Sequence, residues 1–345
     1  MTPIPMEDLF SDRPWIDDEA FDIPTATVAR KIPAEQIPLL RSWRKDGLVI
    51  LRNAAPSFLI DEYRRDLQRV ETNPRKYRAG ILHELHKETT SDRLSPEDFN
   101  HLFFRFMDFH RESSAGKQLA LLEPVTHFLG ALFDDDVVAM QTLTFKFGSG
   151  QAPHQDICVV VSEKPAFLAG CWLALEDVHP DAGPLAYYPG SHKIPLFDFG
   201  RGPFIPSGYP HQEEYVTYLK EEASKRSGPL NALLKKGDAL IWHAALVHTG
   251  LPILDRRRTR YSLVTHYSAA SAYRRDRRRP DLKPLRYGSR KAFVYMLPCD
   301  AKVENTFPEE WHRPIHWRHS TERLLRRAKL SLSRQVRDLH RACSP

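Results

Sequence analysis

The sequence predicts an α+β fold in which a β-sandwich or barrel is covered by helices, and three observations indicate it. Apolar residues recur at helical spacing in much of the first 133 residues. From about residue 137 the chain changes to short β-branched runs separated by Gly, Pro and Asp turns. The 345 residues, 41% of them hydrophobic, suffice for a large core, and no repeat or linker divides them. A single decorated domain is therefore expected.

The predicted elements of the first part are mainly helices. An acidic leader occupies residues 1–30. Apolar spacing and turn residues then predict a helix, a short strand and three further helical stretches, over residues 34–43, 47–51, 58–70, 96–112 and 116–133.

The predicted elements of the second part are mainly short strands. They fall at residues 137–147, 157–161, 170–175, 186–188, 239–247 and 260–267. Residues 321–342 predict an amphipathic helix with an Arg-rich outer face. We expect one main domain over 31–290 with a β core at about 137–270, and a basic helical extension over 291–345 packed on the same domain.

Composition excludes several classes of protein. No stretch approaches the ~20 apolar residues that a membrane span needs. The acidic start lacks the basic flank and apolar run of a secretory signal. The spacing of the four cysteines does not match a metal site, and reduced thiols are expected rather than a disulfide framework. The cysteines are Cys158, Cys171, Cys299 and Cys343. A cytoplasmic protein is expected.

The formal net charge of +6 conceals an uneven distribution. Residues 256–286 carry eleven Lys and Arg against two Asp, and residues 318–345 carry eight against one Glu and one Asp. The rest of the chain is acidic. Because the first basic segment adjoins the candidate site described below, it predicts a negatively charged substrate, whereas the C-terminal segment fits packing better than nucleic-acid binding.

The sequence contains a candidate metal site. On an extended segment His154 and Asp156 project from the same face, so both can bind one ion. His248 follows a later apolar run and supplies a third ligand. Two histidines and one carboxylate leave about three of six coordination positions open, which suits Fe(II) that binds a cosubstrate and O₂.

A candidate carboxylate receptor follows the third ligand. Arg260 opens a predicted strand, and Ser262 points to the same side of it. A guanidinium beside a hydroxyl binds a carboxylate well. An open iron site next to such a receptor is what a 2-oxoglutarate-dependent oxygenase requires.

The ordered motifs resemble those of the phytanoyl-CoA dioxygenase-like family. They are the HQD of 154–156, the WLALED of 172–177, the GPL of 183–185, the PGSH of 189–192, the GDALIWH of 237–243, the HTG of 248–250, and Arg260 ahead of the HY of 266–267. The resemblance covers about residues 35–270. The C-terminal 75 residues lie outside it, and the chain lacks a Ser-Lys-Leu ending.

This resemblance implies a double-stranded β-helix (jelly-roll) core with an N-terminal helical layer. It implies Fe(II) on His154, Asp156 and His248, and 2-oxoglutarate with its distal carboxylate on Arg260. Gln155 and Trp172 match positions near the cosubstrate or substrate. Thr142 and Lys146 share a predicted strand face and are further candidates for the pocket, although the residues after Lys146 depart from the family pattern. The implied reaction hydroxylates a small or carrier-linked substrate, consumes O₂ and releases succinate and CO₂.

Several alternatives remain open from the sequence. His243 competes with His248 for the third ligand position, and a bulge in the strand would exchange them. His192 fits a turn, His266 fits a buried core position, and Ser191 lacks the strained turn and base of a nucleophile. A non-catalytic jelly-roll binding protein and an oxygenase acting on nucleic acid are the alternative functions. The sequence does not indicate the oligomeric state.

Overall fold

The computed structural model describes residues 3–6, 12–84, 87–160, 164–200, 202–206, 212–273, 284–286 and 292–295. The predicted helix at 321–342 and the basic segment at 318–345 lie outside these residues. So do residues 274–283 of the basic segment at 256–286.

The N-terminal helices form a layer on one face of the large sheet, as the sequence predicts. In the described part of the chain this layer contains α1 Ile23–Ala29, α2 Ile37–Asp46, α3 Ser57–Thr72, α4 Ser114–Ala120 and α5 Glu123–Phe133. A further helix, α6 Gln212–Ser224, was not predicted and packs in a separate core with Ile157 and Phe197. The Asp22 side chain caps α1 by accepting a hydrogen bond from the Thr25 amide. Gly47 ends α2 in the left-handed conformation, at φ 75°, and the chain turns directly into the first strand.

The helical predictions at 96–112 and 116–133 require correction. Residues 96–112 contain two short 3₁₀ turns and a strand, because the Phe-rich segment around Phe106 pairs with neighbouring strands. The second stretch is split into α4 and α5 at Leu121 and Leu122, just before Pro124. Pro124 has no amide proton to donate to the carbonyl of Ala120, and its ring would clash with that carbonyl, which accounts for the break.

A ten-stranded sheet forms the main body of the fold. Its principal order is β1-β9-β6-β11-β5-β4-β2-β3, and a further pair lies beside β5. The strands are β1 Leu48–Leu51, β2 Gly80–His83, β3 Lys87–Thr90, β4 Arg105–Met107, β5 Val137–Phe145, β6 Leu168–Ala174, β9 Ala239–His243, β11 Ser262–Ala269, β12 Pro284–Arg286 and β13 Ala292–Tyr295.

A second sheet of three strands has the order β10-β7-β8. It contains β7 Leu185–Tyr187, β8 Leu230–Asn231 and β10 His248–Gly250. The predicted strand at 239–247 is too long, because β9 ends at His243 and residues 244–247 connect it to β10 of the second sheet, which begins at His248. The predicted strand at 157–161 is wrong over its described residues 157–160, because Asp156–Cys158 form a 3₁₀ turn and no strand follows it up to residue 160.

The two faces of the large sheet bury different cores. The outer face packs on the helices through residues such as Leu263, Tyr267 and Ile241. The inner face carries Trp172, Trp242 and Val264 toward the interior of the jelly roll. Side chains alternate between the two faces of the sheet along each strand, so only residues that point to the inner face can line the candidate site.

A register shift in β5 determines the direction of its side chains. The pairing with β11 slips between His266 and Tyr267, which marks an irregularity near Met140 of β5. Val137 and Ala139, before the shift, belong to the helix-facing core. After the shift, Leu143 and Phe145 face inward.

Among the described helices, none has the length and apolar character needed to cross a bilayer.

Candidate functional site

Backbone pairing brings the three predicted metal ligands together. His154 and His248 form an antiparallel bridge, with N–O distances of 3.0 and 3.1 Å between their main chains. Asp156 follows two residues later, at the start of a 3₁₀ turn. The loop after β5 and the start of β10 therefore place three side chains at one end of the jelly roll.

The ligand atoms of this triad converge. Asp156 Oδ1 lies 3.7 Å from His154 Nε2 and 3.6 Å from His248 Nε2. Nδ1 of each histidine hydrogen-bonds a carbonyl, that of Ala152 at 2.9 Å and that of Leu246 at 3.0 Å. Because a carbonyl only accepts, each Nδ1 carries the proton and each Nε2 keeps its lone pair for a metal.

Electrostatics favour the metal-binding forms of Asp156 and His248. Burial by itself raises the pKa of Asp156, but its interactions with His248, His266 and His154 together outweigh burial, and the pKa lies well below the ordinary value. Burial, with the charge of His154, lowers the pKa of His248 to about 4. At neutral pH the carboxylate is ionised and this imidazole is neutral, as metal ligands must be.

The second oxygen of Asp156 is held by two donors that sequence reasoning did not assign to the site. Trp242 Nε1 donates to Asp156 Oδ2 at 2.9 Å, and His266 Nε2 lies 3.3 Å from the same oxygen. Oδ1 is thus left to face the two histidines. His266 lies six residues after Arg260, and residues an even number apart on a strand point to the same face. This spacing is the sequence signal that would have placed His266 at the site.

Gly170 makes room for this contact. It lies opposite both His266 and Trp242 in the sheet. A Cβ at this position would lie 2.3 Å from Cε2 of the Trp242 ring, so only glycine lets the indole lie flat across β6 and reach Asp156.

The triad has the composition of an open metal centre. One ligand atom from each of His154, Asp156 and His248 lies within 4.8 Å of the other two. Two imidazoles and one carboxylate suit Fe(II) with free coordination positions, whereas a closed zinc site uses four protein ligands. The donor set therefore fits iron.

A buried polar receptor lies on the same inner face. Arg260 is 2% exposed, and its guanidinium carbon lies 5.8 and 5.5 Å from the ring centroids of Phe145 and Trp172. Arg260 Nε, Ser262 Oγ and Trp172 Nε1 are buried without a hydrogen-bond partner among the described residues. Burial lowers the pKa of Arg260 to about 10. A buried cation ringed by unused donors fits an anion with several oxygen acceptors.

Gln155 lies next to the triad in sequence, but its side chain is used elsewhere. It is fully buried, and its Nε2 donates to the carbonyl of Ala245 at 2.7 Å. Its main-chain amide donates to Tyr215 Oη at 3.1 Å. Gln155 thereby connects the segment that contains His154 and Asp156 to the turn between β9 and β10.

Thr142 and Lys146 do not join the site, which corrects the expectation that they line the pocket. Thr142 Oγ1 hydrogen-bonds His110 Nδ1 at 2.8 Å, and Lys146 Nζ pairs with Glu71 at 2.8 Å. Both side chains face the helical layer, because the register shift in β5 gives the inner face to the odd-numbered residues beyond it.

The other candidates have structural surroundings. His243 points outward, with Nε2 3.6 Å from Asp17 and its ring against Trp43, so His248 is the third member of the triad. His192 is buried with its ring centroid 5.3 Å from that of His243. Ser191 Oγ accepts a hydrogen bond from the Val247 amide at 2.9 Å, which fixes the chain rather than activating a nucleophile.

Comparisons with known proteins agree with this geometry. Residues 43–258 match the family model described as Phytanoyl-CoA dioxygenase (PhyH). Peroxisomal phytanoyl-CoA dioxygenase of Bos taurus is 20% identical over 60% of this chain, and the match spans 60% of the relative's length.

Solved structures share the fold. The epimerase SnoN, in complex with Fe³⁺, alpha ketoglutarate and nogalamycin RO, superposes with a TM-score of 0.51 and 20% identity, over 70% of this chain and 87% of SnoN. EctD from S. alaskensis, with 2-oxoglutarate and 5-hydroxyectoine, gives a TM-score of 0.53 and 16% identity, over 79% of this chain and 84% of EctD. The predicted α+β fold with a jelly-roll core is confirmed.

The family model covers more than half of the chain, and the triad and the receptor lie within or directly beside the matched residues. The chain belongs to the phytanoyl-CoA dioxygenase family.

Proposed function

We propose that the protein is an Fe(II)- and 2-oxoglutarate-dependent dioxygenase that hydroxylates a small or carrier-linked, anionic organic substrate. The observation that carries this proposal is the pairing of an open His-Asp-His triad with a buried receptor, in which Arg260 Nε, Ser262 Oγ and Trp172 Nε1 have no hydrogen-bond partner among the described residues. The triad can bind a metal that keeps free coordination positions, and the receptor can bind the distal carboxylate of a dicarboxylate.

Each protein group has a defined task in this proposal. His154, Asp156 and His248 would hold the iron, and Trp242 and His266 would fix the orientation of Asp156. When bound, iron and 2-oxoglutarate supply the oxidising chemistry that activates O₂, with release of succinate and CO₂.

The receptor orients the cosubstrate and keeps it dry. Arg260 and Ser262 would bind the distal carboxylate, and Trp172 Nε1 offers an additional donor. The Phe145 and Trp172 rings flank the guanidinium and exclude water, which strengthens its attraction for a carboxylate.

The substrate class rests on supporting observations. The neighbours SnoN and EctD are described with small organic molecules, nogalamycin RO and 5-hydroxyectoine. The Arg-rich segment after Arg256 favours a negative charge on the substrate. The proposal places one catalytic domain within residues 31–290, in the cytoplasm.

The test is a screen of metabolite pools with Fe(II), 2-oxoglutarate and ascorbate. We expect succinate formation coupled to a product one oxygen heavier than its substrate. Asp156→Ala removes the carboxylate ligand and should abolish both signals. Thr142→Ser, outside the site, is the control. Turnover by purified Asp156→Ala at the wild-type rate would refute the proposal.

A further inference from the structure

The arginine of the candidate receptor lies on a short backbone segment between two strand ends. Arg260 comes just before β11, which begins at Ser262. The Arg260 amide donates to the carbonyl of Lys146, beyond β5, at 2.8 Å, and the Tyr261 carbonyl accepts from the amide of Leu175, beyond β6, at 3.0 Å. The main chain of the segment is therefore bound to both neighbouring strands.

Glu176 adds a contact from a side chain to the same segment. Its Oε1 accepts a hydrogen bond from the Tyr261 amide at 2.7 Å. Its Oε2 accepts from Nη1 of Arg64 in α3 at 3.1 Å, and the Arg64 guanidinium carbon lies 3.5 Å from the Tyr261 ring centroid. One carboxylate thus joins the helical layer to the residue between Arg260 and Ser262.

The Tyr261 side chain is fixed on the helix-facing side. It belongs to the core beneath the helices, and its Oη donates to Glu71 Oε1 at 3.0 Å. Successive residues of an extended segment point to opposite sides, so an outward Tyr261 directs Arg260 and Ser262 inward. The position of the Tyr261 backbone therefore sets the direction of both receptor side chains.

The Arg260 guanidinium is held only weakly by contacts of its own. Nη2 donates to the Phe147 carbonyl at 3.3 Å, and Nε has no partner among the described residues. A hydrogen bond of this length lies beyond the usual range for N–H···O contacts. Placement of the guanidinium therefore depends on the backbone that carries it, and binding groups must be held to within about 0.5 Å.

The charge of Glu176 does not block the receptor. Its two oxygens are used by the Tyr261 amide and by Arg64, and no hydrogen bond or ion pair joins it to Arg260 among the described residues. Burial lowers the pKa of Arg260, whereas the charge of Glu176 raises it. The guanidinium thus stays protonated at neutral pH and remains available to an anion.

We propose that Glu176 is a positioning residue for the 2-oxoglutarate receptor: by holding the Tyr261 amide, it places Arg260 and Ser262 for the distal carboxylate. This inference rests on the proposed function and deepens it. The hydrogen bond to the amide carries the effect, and the negative charge does not.

Binding of 2-oxoglutarate and of 2-oxopentanoate to the full chain with Co(II) tests the role of Glu176. The two ligands have the same 2-oxo acid end, but 2-oxopentanoate lacks the distal carboxylate. We expect Glu176→Ala to bind 2-oxoglutarate about tenfold more weakly, as for loss of a hydrogen bond to a charged group. Its affinities for Co(II) and 2-oxopentanoate should stay at the wild-type values, whereas general damage to the fold would weaken both ligands.

Two conservative variants separate the hydrogen bond from the charge. Glu176→Gln keeps an acceptor oxygen at the same reach and should bind 2-oxoglutarate within about threefold of wild type. Glu176→Asp keeps the charge but is shorter by one methylene, so its contact with the amide lengthens and 2-oxoglutarate should bind about fivefold more weakly. Asp135→Ala is the matched control, because Asp135 Oδ2 accepts the amide of Ser271 at 2.9 Å beyond the other end of β11.

Four results would each overturn the role of Glu176. They are wild-type 2-oxoglutarate affinity in both Glu176→Ala and Glu176→Asp, an equal loss of 2-oxopentanoate binding, a larger loss in Glu176→Gln than in Glu176→Asp, and the same loss in Asp135→Ala. The proposed function fails separately, since a wild-type protein that does not bind Co(II) and 2-oxoglutarate refutes the oxygenase proposal itself.

Discussion

Replacing Gly170 with alanine should weaken metal binding although no ligand is changed. The new Cβ would lie 2.3 Å from Cε2 and 2.4 Å from Cζ2 of Trp242. Carbon atoms at optimal separation lie ~3.5 Å apart or more, so the ring must move by about 1 Å. A shift of that size breaks the 2.9 Å hydrogen bond from Trp242 Nε1 to Asp156 Oδ2.

The magnitude follows from what that bond does. A hydrogen bond to a charged group contributes about 1.5–3 kcal/mol, and loss of a partner that orients a metal ligand costs about 10–100-fold in affinity. Overpacking of the core adds about 1–3 kcal/mol of destabilisation. We expect Gly170→Ala to bind Co(II) or Fe(II) about 10–100-fold more weakly and to unfold at lower denaturant concentration.

Anaerobic metal titration, with denaturant unfolding of the same samples, measures both effects. Gly130→Ala is the matched control, because a Cβ there meets its nearest atom at 3.6 Å. Trp242→Phe removes the donor without a clash and should reproduce the loss of affinity with less destabilisation. Wild-type metal affinity in both Gly170→Ala and Trp242→Phe would refute the role of this contact.

Three other predictions concern residues on both faces of the sheet. Arg260→Gln should raise the KM for 2-oxoglutarate by about 100-fold, since it removes a buried charge pair worth ~2–5 kcal/mol, while the exposed Arg256→Gln should not. Lys146→Met should leave the KM for 2-oxoglutarate unchanged and lower the free energy of unfolding by about 1 kcal/mol, because the lysine pairs with Glu71. A raised KM would show that Lys146 contributes to 2-oxoglutarate binding after all. His243→Ala should bind Co(II) normally but unfold more easily, and loss of Co(II) binding would contradict its outward position.

Local patterns predicted much of the fold and the centre of the site. Apolar spacing located α2 and α3 to within a few residues, because each buries one continuous stripe. The spacing of His154 and Asp156 and the position of His248 identified the triad. Two residues that are two positions apart on an extended segment project from the same face, so their spacing in the sequence indicates that they can bind one metal. Residues 157–161 were misassigned because a buried turn has the same apolar composition as a strand.

The errors at the site come from contacts between distant strands. Thr142 and Lys146 have the residue types of a pocket, but one register shift between β5 and β11 turns them to the helices. The role of Gly170 depends on a tryptophan in another strand, which its own neighbours in sequence do not reveal.

The central claim is that His154, Asp156 and His248 bind one metal beside a receptor for 2-oxoglutarate centred on Arg260. Anaerobic titration of the full chain with Fe(II) and then 2-oxoglutarate, followed by visible absorption, tests it most directly. We expect a weak charge-transfer band that saturates at one Fe(II) per chain, is absent in Asp156→Ala, and needs much more 2-oxoglutarate in Arg260→Gln. A wild-type protein that shows no band, or an Asp156→Ala variant that shows the same band, would contradict the claim.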